Sequence, residues 1–208
     1  MEIIPVKYGE SVLPESMIFQ NGAKDKLYPI TFIIYLIKSG SRLILVDAGC
    51  KTMPGFEMKN FCGSVKALEN MGISADSITD VVITHSHHDH IECTEYFKNA
   101  VIHIQCDEYE AGKKYIPDGF KVNLFDESLA VCEGVEAVKI GGHSKGSCVV
   151  EVTDGDNIYV IAGDECYLSK CLEEKIPTGV SYCLGKSEEF IKKYSDSKYK
   201  VFLCHDVI

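Results

Sequence analysis

The chain has 208 residues, 46% apolar and 25% charged, enough to bury the core of one domain and unlike a disordered segment. Its net charge of −10 argues against nucleic acid, whose phosphates are met by Lys and Arg, and favours a small-molecule substrate. The opening MEIIPVKYGE lacks a basic stretch leading into a long apolar one. The longest apolar run, ITFIIYLI at 30–37, falls far short of the ~20 residues that span a bilayer. A cytoplasmic protein without membrane association is expected.

In chain order, EIIPV, SMIFQ, ITFIIYLIKSG and SRLILVDAG read as strands, rich in β-branched residues and bordered by turn formers. NFCGSVKALENMG reads as a helix with Phe61, Val65, Leu68 and Met71 on one face and Gly72 as its stop. DVVITH and AVIHIQ are strands, and residues 106–115 a short helix. His103 within AVIHIQ is expected to be a hydrogen-bonded core histidine.

VEAVKIGG and SCVVEVTDGDNIYVIAGD follow as strands, 168–175 as a short helix, SEEFIKKYSD as a helix capped by Ser187, and YKVFLCHDV as the last strand. IKSGSRLIL and VTDGDNIYV read as hairpins with short polar, Gly-containing turns. Strand-rich halves with interspersed helices predict a single α/β domain over residues 1–208, with two sheets covered by helices. The ten cysteines are scattered, form no CxxC pair and accompany no export signal, so reduced thiols used as small hydrophobes are expected. Composition carries no signature of oligomeric state.

The densest chemistry lies in VVITHSHHDH at 81–90. His85 and His87 stand two apart at a strand end, where alternate side chains can turn to one point, and Asp89 and His90 follow directly. Imidazole nitrogens with a carboxylate oxygen are ligands that zinc, iron and manganese accept. Further along, His143, Asp164 and His205 each follow a predicted strand, so all three ends can converge on the same site.

H-x-H-x-D-H at 85–90, Gly-His-x-x-Gly-Ser at 142–147, Gly-Asp at 163–164, His-Asp at 205–206 and the earlier LVDAG at 45–49 together resemble the metallo-β-lactamase superfamily. The resemblance implies an αββα sandwich of two mixed sheets. It assigns His85, His87 and His143 to one metal, Asp89, His90 and His205 to a second, and Asp164 to both. Asp47 would orient ligands by hydrogen bonding without binding metal itself. His88 would lie outside the set. Two divalent ions, zinc foremost and iron or manganese as alternatives, would lower the pKa of bound water to about 7 and supply hydroxide for hydrolysis.

GDECY places Tyr167 three residues past Asp164, similar to the N-acyl-homoserine lactonases, where a tyrosine at this spacing contacts the substrate carbonyl. Its phenol would serve as a catalytic donor to the oxyanion, and Asp89 as a ligand or proton carrier. The chain departs from that subgroup at Ile91, Glu92 and Cys93, where small residues are usual. A thioesterase of the glyoxalase II type is the alternative enzyme, although it would favour a basic C-terminal part. A non-catalytic or redox-sensing metal protein is a further alternative, motivated by Cys93, Cys166 and Cys204 beside the ligands.

Overall fold

The structure, a computed structural model, describes residues 1–207. Six strands form the first sheet in sequential order: β1 (Glu2–Pro14), β2 (Leu27–Ser39), β3 (Arg42–Val46), β4 (Asp80–Ile83), β5 (Val101–Gln105) and β6 (Lys121–Phe125). Its first two pairings are antiparallel and its last three parallel. The second sheet runs β11 (Tyr199–Phe202), β10 (Asn157–Ile161), β9 (Cys148–Asp154), β8 (Val135–Lys139), β7 (Ser128–Cys132), with only β10 and β11 parallel.

β2 shows why the sheets stack. Its residues 30–37 are buried on both faces, and the two faces enter different cores. Phe32, Ile34 and Leu36 join the core on the helix-covered side. Ile33, Tyr35 and Ile37 meet Val135, Ala137, Val150 and Val152 of the second sheet. A strand covered on both faces needs no polar alternation, which is why ITFIIYLI reads as an unbroken apolar run. The outer layers are α1 (Glu15–Ile18), α2 (Ser64–Asn70), α3 (His88–Ile91), α4 (Cys106–Gly112), α5 (Ser169–Glu173) and α6 (Leu184–Tyr194). This is the expected αββα sandwich.

Both expected hairpins form, with Gly40 and Gly155 in the left-handed backbone region their turns require. Three readings need correction, and two strands went unread. SMIFQ is not a strand: Met17 and Ile18 belong to the single turn of α1. Ser187 does not cap α6, which begins at Leu184; it is buried inside the helix, 3.0 Å from the Ser181 hydroxyl. Phe61 precedes α2 and Met71 is exposed, so the apolar stripe is shorter than expected, although Gly72 does take the left-handed stop. Strands β6 and β7 escaped notice because they are short edge strands with only scattered buried residues.

His103 is a satisfied core histidine, as expected. Its Nε2 donates to Asp80 Oδ1 at 2.9 Å, Thr79 Oγ donates to Oδ2 at 2.7 Å, and Arg42 grips both carboxylate oxygens while reaching the Val131 carbonyl of the second sheet. Burial alone would raise the Asp80 carboxyl, but the hydrogen bonds from His103, Arg42 and Thr79 outweigh it and hold it well below the usual carboxylate range. A folded pKa below the unfolded value stabilises the fold above the unfolded pKa, ~3.9, and that gain is lost as pH falls. Asp80→Asn is therefore expected to cost about 3 kcal/mol at pH 7, the low end for breaking a buried pair because Arg42 is partly exposed. In urea unfolding the gap to wild type should begin to narrow below pH ~4 and keep shrinking as pH falls further; a gap that ignores pH would refute this account.

Candidate metal centre

The topology delivers the chemistry to one edge. Asp47 follows β3, His85 follows β4, Asp164 follows β10 and His205 follows β11. Within each sheet the two strands concerned are parallel, so their carboxyl ends open onto a common crevice. His143 arrives from the loop before β9, which is antiparallel to β10 and so starts at that same edge. His87, Asp89 and His90 lie at the start of α3.

The structure brings all seven expected ligand residues together in two adjoining clusters. In the first, His87 Nδ1 lies 3.1 Å from His85 Nε2 and 2.8 Å from His143 Nε2, and Asp164 Oδ2 stands 3.7 and 3.6 Å from those two Nε2 atoms. In the second, Asp164 Oδ1 lies 3.1 Å from both His90 Nε2 and His205 Nε2, with Asp89 Oδ2 3.6 Å from each. The donor atoms of His85, His87, His143 and Asp164 fall within 4.8 Å of one another, as do those of Asp89, His90 and His205. His88 joins neither cluster: it meets Glu92 at 3.0 Å and the Tyr115 hydroxyl at 3.2 Å, on the wall of the adjoining cavity.

The imidazoles are held from behind. His143 Nδ1 donates to the Val180 carbonyl, His205 Nδ1 to the Thr31 carbonyl and His90 Nδ1 to Asp47 Oδ2, at 2.8, 2.9 and 2.8 Å. His85 Nδ1 lies 3.1 Å from Thr84 Oγ, which itself donates to Asp47. Such bonds set the tautomer and turn the other nitrogen inward. Asp47 also accepts the Thr84 amide at 2.7 Å, and its backbone sits at φ 66°, a left-handed conformation that Asp tolerates better than most residues. It thus hydrogen-bonds His90 directly and reaches His85 by way of Thr84.

Burial pushes the His143 imidazole down to about 4 and lowers His85 as well, so both are neutral donors at neutral pH. For His90 and His205 burial acts in the same direction, but the carboxylates around them win and raise both. At the centre, His90 Nε2, His205 Nε2 and Asp164 Oδ1 are buried and, although each nitrogen lies 3.1 Å from the oxygen, make no hydrogen bond of good geometry. Unmet groups of this kind cost about 1–3 kcal/mol each. Cations between the clusters would relieve that cost, and neutral imidazole with carboxylate is the donor set a divalent metal takes.

Tyr167 lies beside the clusters, its ring stacked on His205 at 5.0 Å and edge-on to His143 at 6.0 Å. Burial, reinforced by the charges of Asp164 and Asp89, pushes its phenol well above the usual value, so the proton is in place at neutral pH. With His87, Asp89 and Asp164 it lines a cavity of about 250 Å3 walled by Leu13, Met17, Met53 and Val180. Cys93, Cys166 and Cys204 are buried, and burial pushes Cys93 up to about 11 and the other two upward as well. That disfavours the thiolate form at these three positions. All ten cysteines are free.

Two buried carboxylates escaped the sequence reading. Glu165 accepts the Gly142 and His143 amides, both at 3.1 Å, and the Ser147 hydroxyl. Glu108, on α4, reaches the same loop and the one carrying His85 and His87. The signal was present in the glycines of GGHSKGS. A Cβ at Gly142 would strike Glu165 and Ser187, and one at Gly146 would strike Gln105 and Glu108, so the backbone must approach these acids bare.

Residues 34–188 match the family model of the metallo-beta-lactamase superfamily. A probable metallo-hydrolase of Methanocaldococcus jannaschii is 28% identical over 165 residues, covering 79% of this chain and 71% of that protein. The N-acyl homoserine lactonase AiiA of Bacillus thuringiensis subsp. kurstaki is 25% identical over 233 residues, covering 96% of this chain and 90% of its own. Among solved structures, an N-acyl homoserine lactone hydrolase with the product N-hexanoyl-L-homoserine at its catalytic metal centre superposes with TM-score 0.85 at 21% identity, over 99% of this chain and 93% of that one. AidC, a dizinc quorum-quenching lactonase, gives 0.78 at 19% identity, over 98% and 87%. Among the described residues no helix is long and apolar enough to cross a membrane.

Proposed function

Since the chain belongs to the metallo-β-lactamase superfamily and is a metal-dependent hydrolase, we propose that it holds two zinc ions and opens an ester-type bond in a small molecule, an N-acyl-homoserine lactone or another lactone. His85, His87 and His143 would hold one ion, Asp89, His90 and His205 the other, with Asp164 shared. The observation that carries this reading is the division of Asp164: Oδ2 faces the first cluster and Oδ1 the second. The lactonase relatives, one of them dizinc, support it.

Bound there, divalent ions supply Lewis acidity and a low-pKa water. The chain's own residues do the rest. Tyr167, protonated and on the cavity wall beside Asp164, donates a hydrogen bond to the carbonyl oxygen as negative charge develops on it. Asp89, on the cavity wall, is placed to carry a proton to the leaving oxygen as well as to serve as a ligand. Leu13, Met17, Met53 and Val180 shelter the apolar part of the substrate, and methionines adapt to chains of varied shape.

Two assays test this. Metal analysis of purified protein should find close to two ions per chain, and one or none would refute the dinuclear centre. Turnover on homoserine lactones of graded acyl length, aliphatic lactones, thioesters and phosphodiesters should favour lactones. A preference for thioesters would instead support a glyoxalase II type of activity.

A further inference from the structure

We infer that Glu108 is a positioning residue that sets the separation of the two loops presenting His85, His87 and His143, and so governs one metal position and not the other. The inference rests on reading those three imidazoles as donors to one ion. Glu108 lies in the first turn of α4 and is 3% exposed. Its Oε2 accepts the Ser86 amide at 2.7 Å and the Ser86 hydroxyl at 2.6 Å, between His85 and His87. Its Oε1 accepts the Ser144 hydroxyl at 2.7 Å and the Gly146 amide at 2.8 Å, just after His143.

One carboxylate thus spends all four acceptor positions on two loops from different sheets. The same helix holds the second loop through Asp107, which pairs with Lys139 and Lys145 at 3.2 and 2.7 Å. No bond from Glu108 reaches the segment of Asp89 and His90 or that of His205. Asp47 supports the other side directly, through His90, and reaches the first only by way of Thr84 and His85.

The division of labour follows from acceptor chemistry. Each oxygen of Glu108 meets one backbone N–H, and a backbone donor cannot reverse its polarity. Glutamine offers one accepting oxygen and one donating NH2, so either orientation sets donor against donor at Ser86 or at Gly146. Glu108→Gln therefore releases one loop while conserving volume. Ligands lose their aim when such supporting bonds are removed, typically at about 10–100-fold in metal affinity.

Stepwise zinc titration of apo-protein against a chromophoric chelator tests the inference. Wild type should show two binding steps. In Glu108→Gln one step should weaken by about 10–100-fold while the other stays within about 3-fold. Adding Glu108→Gln to His143→Ala, which already lacks that step, should change little further. Glu110→Gln, an exposed substitution on the same helix, should leave both steps intact. Should Glu108→Gln not fold, the Ser86→Ala/Ser144→Ala pair removes one hydroxyl from each arm and should weaken the same step by about 3–10-fold.

Unchanged steps, or two steps weakened equally as a general loss of stability would produce, overturn the positioning role. A wild-type chain that takes up fewer than two ions overturns the metal reading itself, and this inference with it.

Discussion

Asp164→Ala is expected to abolish hydrolysis and to lower bound metal by more than one ion per chain. Every other expected ligand belongs to one cluster, so its loss should weaken mainly one position. Asp164 faces both, with Oδ1 3.1 Å from His90 and His205 and Oδ2 3.6 and 3.7 Å from His143 and His85. The substitution also removes a buried negative charge from among four imidazoles, each of which its field acts to raise. The comparison with His205→Ala is decisive, since that variant should lose close to one ion and keep the other. Elemental analysis after gel filtration reads both. Full metal content in Asp164→Ala would refute its shared position.

Tyr167→Phe should lower kcat by about 10²–10³-fold, the usual loss on removing one preorganised donor to an oxyanion. KM on the same lactone should move much less, because a bond made to developing charge acts in the transition state and not in the bound ground state. Phenylalanine keeps the ring that stacks on His205 and meets His143 edge-on, so packing and metal content should be preserved. The variant therefore isolates one hydroxyl. Unchanged turnover would reduce Tyr167 to a packing aromatic.

The expected ligand residues, which the structure gathers into two clusters, were legible because metal binding constrains residue type. Only a few side chains can donate, and strand ends hold them at recognisable places, as in His85–His87 and the Gly-Asp after β10. What supports them is less visible. Glu108 and Glu165 bind mainly backbone amides and hydroxyls, and any acid of the right reach looks the same in sequence. Their imprint fell on their partners, as the missing side chains of Gly142 and Gly146.

The fold reading failed where burial was partial or turns were short. β6 and β7, at sheet edges, show no clean alternation, and the single turn of α1 is too brief for helical periodicity to register. Ser187 has the residue type and following acids of a cap, yet the helix starts three residues earlier and spends the hydroxyl on Ser181.

Each cluster draws donors from both sheets: His85 and His87 face His143, and Asp89 and His90 face His205. An ion seated in either cluster is a cross-link between the halves of the sandwich that exists only in the folded chain. Folding and free metal concentration are then linked by mass action, each site contributing about 2.7 kcal/mol when the ion is at a hundred times its dissociation constant. With ions so bound, the resistance of the fold to heat would become a readout of how much metal its surroundings supply, and a chelator would become a mild denaturant.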